Sequence, residues 1–467
     1  MAALHAPEGQ RHVTAVILDD RAAEAIAERY PIGLSEHGRL LRRMLCEGPS
    51  VIVVAVSFRY LRDGDAGVEA LKNQLRFRVI DGECREVAAD EARAGRARSR
   101  DGRLVPVTKV FLAATPVSGG HCVPFSPPLG ERCDEARKID GLKEVAEPVV
   151  FGRTSLHNSY KLWRPLADGG GLRASPAVHA FEAFCERAGA GLTACARPLP
   201  PNDAALVTHW GLYPPPLQAR LSEAARYAPP SKPCLGAAGR PPRTAARWWD
   251  GARVLRRYVR LNAFGNPDEL AIEPHPACRY TSELNAALVA FRAIGDPLVT
   301  EALRNRVVVY GTDIAGLGET ELVPLHGRLP GALFDAMVID NLVSYGSSYT
   351  REPPKVIEGF SLSWLNVAEF AVSTALLLFA SFLIHARPSP SARTGLCDEP
   401  RMLPGRALII YTIVALAVVG FGIFLSVVML CWPAPNVIAV LGVAALDAGS
   451  RWSFAADSVP HRAEIRG

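Results

Sequence analysis

Two carboxylates close a short apolar run. Val13 to Leu18 reads VTAVIL and ends at Asp19-Asp20. A strand end is where an attacking carboxylate would stand, but such chemistry needs an Asp-x-Asp spacing followed by Gly or Thr, and LDDRAA does not supply it. The pair is left with two roles: contact with a ligand or cation, or capping of the turn that follows. A second stretch, GTDIAGLGETELVPLHGRLPG from Gly311 to Gly331, follows the apolar run Val307 to Tyr310. Its glycines let the chain turn tightly at a strand end. Its backbone N–H groups could cradle an anion or a polar ligand. In open α/β sheets the loops at the carboxyl ends of strands form the ligand crevice. Asp19, Asp20, Gly311, Thr312, Asp313, Gly316 and Gly318 are therefore the candidate ligand-binding residues. The alternative is a turn that only returns the chain to the next helix.

Other chemistry is sparse. Asp313, Glu319 and Glu321 offer oxygens suited to a hard cation, but at irregular spacing, so no metal site is assigned and no cofactor is expected. Gly-x-Ser-x-Gly, His-Glu-x-x-His and Walker patterns are absent, and His326 stands alone in its loop. No catalytic residue is named, and an enzyme is not expected. The rival reading is an envelope hydrolase or phosphoesterase using Asp19, Asp20 and the 311–331 loop. The net charge of +5 is mild and the arginines are dispersed, so nucleic acid is not an expected partner. Cys122 with Cys133, and Cys185 with Cys195, are close enough for local bridges in an oxidising compartment. Free buried thiols are the alternative.

The elements that must position these residues alternate. VTAVIL reads as a buried strand, and residues 21–46 have helical spacing broken near Pro31 and Gly33. VIVVAVSF from Val51 reads as a second strand, GDAGVEALKNQLR from Gly64 as an amphipathic helix, and KVFLAA from Lys109 as another strand. Residues 115–260 are rich in Pro and Gly and irregular, with helices expected at 177–188 and 252–259. CRYTSELNAALVAFRAI from Cys278 has helical spacing, and ALFDAMVIDNLVSYG after Gly331 reads as a helix. The fold class expected is α/β: a mixed, partly parallel sheet with flanking helices over residues 1–350, followed by a C-terminal three-helix transmembrane region.

Residues 364–386 and 407–432 both meet the roughly 20-residue requirement for a membrane-spanning helix. Residues 436–449 are a shorter third candidate, set off by Pro433 and Pro435. Arg387, Arg393, Arg401 and Arg406 mark the 387–406 loop as cytoplasmic, and Arg451, Arg462 and Arg466 do the same for the tail, 450–467. The large N-terminal domain then lies outside a bacterial inner membrane. MAALHAPEGQRHVTAVILDD has no apolar leader core, so a coding start further upstream is expected; translocation of the domain by the first span, and a cytoplasmic domain with an inverted membrane region, are the alternatives. Glu369 is an intramembrane carboxylate near the outer interface. Gly422 with Ser426, and Ala445 with Gly449, place small residues four apart, which permits close helix packing or a homodimer.

In this order the strand VILDD, the helix LLRRML, the strand GPSVIVVAVSF, the helix GDAGVEAL, and then YGTDIAGLGE and PLHGRLPGALFDAMVIDNLV before three spans resemble the CHASE2 domain. That family implies an extracytoplasmic sensory module joined by three transmembrane helices to a cytoplasmic output domain. The chain departs from it in lacking an aspartate near Ala55-Val56, in having Asp335 where the family often has histidine, and in having no output domain after the third span. The resemblance implies a membrane sensor that detects a small ligand or envelope component and signals to a separate cytoplasmic partner. A scaffold without sensing is a further alternative.

Overall fold

The computed structural model describes residues 8–27, 32–56, 64–114, 141–150, 159–165, 172–202, 204–210, 215–224, 280–314, 320–323, 327–354, 356 and scattered positions from 363 to 417. The chain divides into two compact units, Met1–Tyr349 and Thr350–Gly467.

The first unit is built on a six-stranded sheet. Its strands are β1 (Val13–Asp19), β2 (Val51–Val54), β3 (Lys109–Ala114), β4 (Glu147–Val150), β5 (Ser282–Asn285) and β6 (Val307–Asp313). They lie in the order β5-β1-β6-β2-β3-β4, and every neighbouring pair is parallel. The expected mixed sheet is therefore wholly parallel at its centre, and antiparallel pairing is confined to separate two-stranded ribbons. Parallel strands covered on both faces read as continuous apolar runs, which is why VTAVIL and VVVY stand out.

Alternate side chains feed two cores. Val16, Leu18, Ile52, Val54, Val308 and Tyr310 face helices α1 (Asp20–Ala27), α2 (Leu34–Cys46), α3 (Gly64–Gln74) and the later helices of that layer. Val13, Ala15, Ile17, Val51, Val53, Val307 and Val309 face the opposite way. The small helix α4 (Ala89–Ala94) lies between two hairpins, and α5 (Pro176–Ala188) covers that second face. Helices α6 (Pro216–Ala224), α7 (Ala286–Phe291) and α8 (Pro297–Leu303) return to the first. Helix α9 (Gly331–Tyr345) packs on the second and is buried from Gly331 through Val343, so its apolar residues run round the whole helix, interrupted by the buried Asp335, Asp340 and Asn341.

Several polar groups inside this frame are hydrogen-bonded. Asn341 on α9 accepts from the His209 backbone N–H at 2.9 Å and donates to the His209 carbonyl at 3.0 Å, pinning residues 205–210 to the helix as a strand would. Gln218 on α6 accepts from the Glu283 N–H at 2.6 Å, closing the outer edge of β5. Residues 77–107 form a small annex of two hairpins around α4, with its own core of Ile80, Val87, Ala92, Ala97 and Val107. Arg78 is fully buried there and donates to the carbonyls of Leu75, Phe77 and Ala92 at 2.5, 2.7 and 3.1 Å. Desolvation pushes its pKa down to about 9, so the guanidinium is still charged at neutral pH. Its charge lies against the Leu75 carbonyl just past the end of α3 and the Ala92 carbonyl in the last turn of α4, where the helix dipole favours a cation.

Two disulfides are formed. Cys185–Cys195, expected as a local bridge, joins residues whose Cα atoms are 5.3 Å apart. Cys46–Cys84, not expected, joins the end of α2 to the annex at 5.1 Å. Cys122 and Cys133 lie outside the described residues.

The segment from Cys278 departs from its helical spacing. Ser282–Asn285 is edge strand β5, and the helix begins only at Ala286. The expected helix at 252–259 lies outside the described residues. So do the span at 407–432 apart from Ala417, the span at 436–449, and Glu369, Gly422, Ser426, Ala445 and Gly449. No described helix is long and apolar enough to cross a membrane. In the second unit, the described positions from Trp364 to Leu378 are nearly all helical and none is buried, and Trp364, Phe370 and Leu378 are 52%, 74% and 66% exposed.

Candidate ligand crevice

The strand order determines where a crevice opens. β1 leaves its carboxyl end into α1 on one face, and α3, which follows β2, lies on the same face. β6 lies between them and feeds α9 on the opposite face. The chain therefore parts at the carboxyl end of β6, on both sides of that strand. Open parallel sheets bind ligands at such switch points.

Three of the candidate residues meet there. Asp19 and Asp313 end adjacent strands and lie directly opposite each other in register, and Leu18 opposes Thr312 in the same way. Asp19 and Asp313 are half-buried, Asp20 is exposed at the first turn of α1, and Thr312 is 3% exposed. Ala55 extends the pairing of β2 by donating its N–H to the Tyr310 carbonyl at 2.7 Å. The crevice floor is thus the ends of β1, β6 and β2, with Ile314 leaving it.

Asp19 has a structural duty as well. Its Oδ1 accepts from the Ala22 N–H at 2.7 Å, the cap that starts α1. Its Oδ2 accepts from the Asn285 side chain at 3.0 Å. Asn285 in turn caps α7, accepting from the Ala287 N–H at 2.8 Å. Two neighbouring strand ends thereby start two helices and lock each other. Both Asp19 oxygens are engaged in these bonds, while Asp20 is exposed at the first turn of α1 and Asp313 is half-buried at the end of β6.

Gly311 is set apart from the loop reading. It is buried in β6, and a Cβ there would overlap the Cβ of Ala332 near the start of α9. Its bareness serves the close approach of helix to strand. Gly316, Gly318, Glu319 and His326 lie outside the described residues. Glu321 pairs opposite Leu329 in the hairpin of Thr320–Val323 with Gly327–Pro330, which joins β6 to α9. Among the described residues no group of three or more His, Cys, Asp or Glu side chains is placed to hold a metal ion.

Two participants escaped the sequence reading. Asn285 was hidden because its segment reads as helix. His37 and Tyr310 form a buried pair beneath the crevice, with Nδ1 and the phenol oxygen 2.8 Å apart. The sequence did carry a signal for His37: it falls on the apolar stripe of α2 between Leu34 and Leu41. Compared with models of protein families, with curated proteins and with solved structures, the chain matches none.

Proposed function

We propose that the first unit is an extracytoplasmic, CHASE2-like sensory domain that binds a small polar ligand at the carboxyl ends of β1, β6 and β2. The observation that carries this reading is the pair of disulfides, because such bridges form and persist in oxidising compartments and are rare in a reducing cytosol. The exposed Trp364, Phe370 and Leu378, at described helical positions, support a membrane anchor next in the chain, since large apolar side chains left in water are otherwise costly. A separate cytoplasmic partner would read the signal. Signalling of this kind requires the ligand to favour one of two arrangements, and it shifts the balance only by its difference in affinity between them.

The charge of the crevice selects the ligand class. Asp20 and Asp313 favour a cationic or hydroxyl-rich molecule over an anion. The full chain, solubilised in detergent, should be warmed with a panel of divalent cations, polyamines and amino acids. A member that binds at about a hundred times its Kd adds roughly 2.7 kcal/mol of stability. Asp20→Asn with Asp313→Asn leaves the Asp19 cap intact and should cancel that gain, measured as the shift relative to the same protein without ligand. Equal gains in both proteins, or none with any probe, would remove the carboxylates from the site.

A further inference from the structure

Helix α9 is the last helix of the first unit, and the chain leaves that unit four residues beyond it, at Tyr349. The exit is held tightly. Gly346 takes a left-handed φ of +54°, and a Cβ there would lie 2.5 Å from the Ala194 carbonyl oxygen and 2.9 Å from its Cα. Tyr349 is 1% exposed, and its hydroxyl donates to the Asn202 side chain at 3.3 Å. Ala194 belongs to the short turn Thr193–Ala196, which also carries Cys195. Cys185 sits in the last turn of α5 and closes this segment into a small loop, the bridged residues being 10 apart in sequence. The floor under the exit is therefore a disulfide-closed loop.

The two bridges differ in access at one sulfur. Cys46 is only 7% exposed, while its partner Cys84 is half-exposed. Cys185 and Cys195 are both half-exposed, at the margin of the second core. Access governs which disulfide an external thiolate can attack.

We propose that Cys185–Cys195 is a thiol–disulfide exchange site whose reactant is an external dithiol, and that its state sets how firmly residues 346–349 are held. This rests on the reading that the chain beyond Tyr349 carries the output. One thiolate of the dithiol attacks a sulfur of the bridge, breaking the S–S bond and forming a mixed disulfide. The second thiol of the reagent displaces the protein sulfur. Two electrons and two protons pass to Cys185 and Cys195, and the reagent leaves as its own disulfide. The opened loop no longer fixes Ala194 against Gly346, so the exit loosens.

The test uses the full chain in lipid nanodiscs, titrated with dithiothreitol in its reduced and oxidised forms. Differential alkylation and mass spectrometry report each bridge, and amide hydrogen exchange reports the exit. At a fixed excess of reduced reagent Cys185–Cys195 should open faster than Cys46–Cys84. Exchange at 189–196 and 346–349 should then quicken by about tenfold and slow again on reoxidation, while the strands of the sheet stay protected. Cys185→Ala with Cys195→Ala should hold the exit in the fast-exchanging state without dithiol. Opening of both bridges together on unfolding, or unchanged exchange at 346–349 after selective reduction, would overturn the proposal. Exchange does not depend on which side of a membrane the unit occupies, so a cytoplasmic location would end the sensor reading and leave the loosening of the exit measurable.

Discussion

Gly311→Ala should destabilise the first unit by about 3 kcal/mol, because the added methyl has no space beside Ala332 and overpacking a rigid core forces backbone shifts. Both residues are buried, and they hold the entry of α9 against the centre of the sheet. The matching change, Ala332→Gly, removes the opposing methyl and on its own costs about 1 kcal/mol through helix propensity. Combined, the two should restore much of the loss, with a coupling of about 2 kcal/mol between neighbours that share one contact. Denaturant unfolding of the four proteins measures it. A double variant no more stable than Gly311→Ala alone would mean that this glycine serves some purpose other than close approach, and the ligand-cradle reading of the position would regain weight.

Loss of the Cys46–Cys84 bridge should have the largest effect of any single change described. The cysteines are 38 residues apart, and chain-entropy reasoning assigns a loop of that size roughly 4 kcal/mol. The bridge also anchors the annex of residues 77–107, whose own core is a handful of side chains around Arg78. Cys46→Ala should therefore lower the melting temperature by several degrees and free the annex first, seen as rapid exchange at 77–107 while β1 and β6 stay protected. Peptide mapping without reductant checks the pairing directly. Recovery of both cysteines as free thiols from native membranes would remove the strongest support for an oxidising compartment.

Much of the frame was legible from residue type. β1, β2, β3 and β6 are runs of apolar residues, many of them β-branched, and α2 shows its buried stripe in Leu34, Leu41 and Leu45. Pro31 and Gly33 marked the break between α1 and α2. β5 was not legible. Ser-Glu-Leu-Asn contains no β-branched residue, it pairs with one strand only, and the helix that follows imposes its period on the window. The insertion of β6 between β1 and β2 was not legible either, because partners such as Val13 and Val307 lie far apart in the chain and no local pattern encodes their pairing. The same distance concealed Cys46–Cys84, whereas Cys185–Cys195 was near enough to suggest itself.

The site divides in the same way. Strand ends and acidic residues are visible in sequence, so Asp19, Asp20 and Asp313 stood out. Their division of labour depends on geometry. Asp19 is taken up by the Ala22 cap and by Asn285, and Gly311 by Ala332. What remains facing outward is the register of Asp313 against Asp19 and the exposed first turn of α1. In the proposed site the sheet parts around β6, and side chains from two strand ends would supply the charge.

The proposed sensory role requires the disulfide-bearing unit and the arginine-rich 387–406 loop to lie on opposite sides of a membrane. Paired fusions test it in living cells: alkaline phosphatase, active only outside the cytoplasm, and a fluorescent protein that matures only inside it. Each is inserted at Gly102, an exposed hairpin turn, and at Arg393. Phosphatase activity at Gly102 with fluorescence at Arg393 is the predicted result. Fluorescence at Gly102 with phosphatase activity at Arg393, or fluorescence at both, would contradict it.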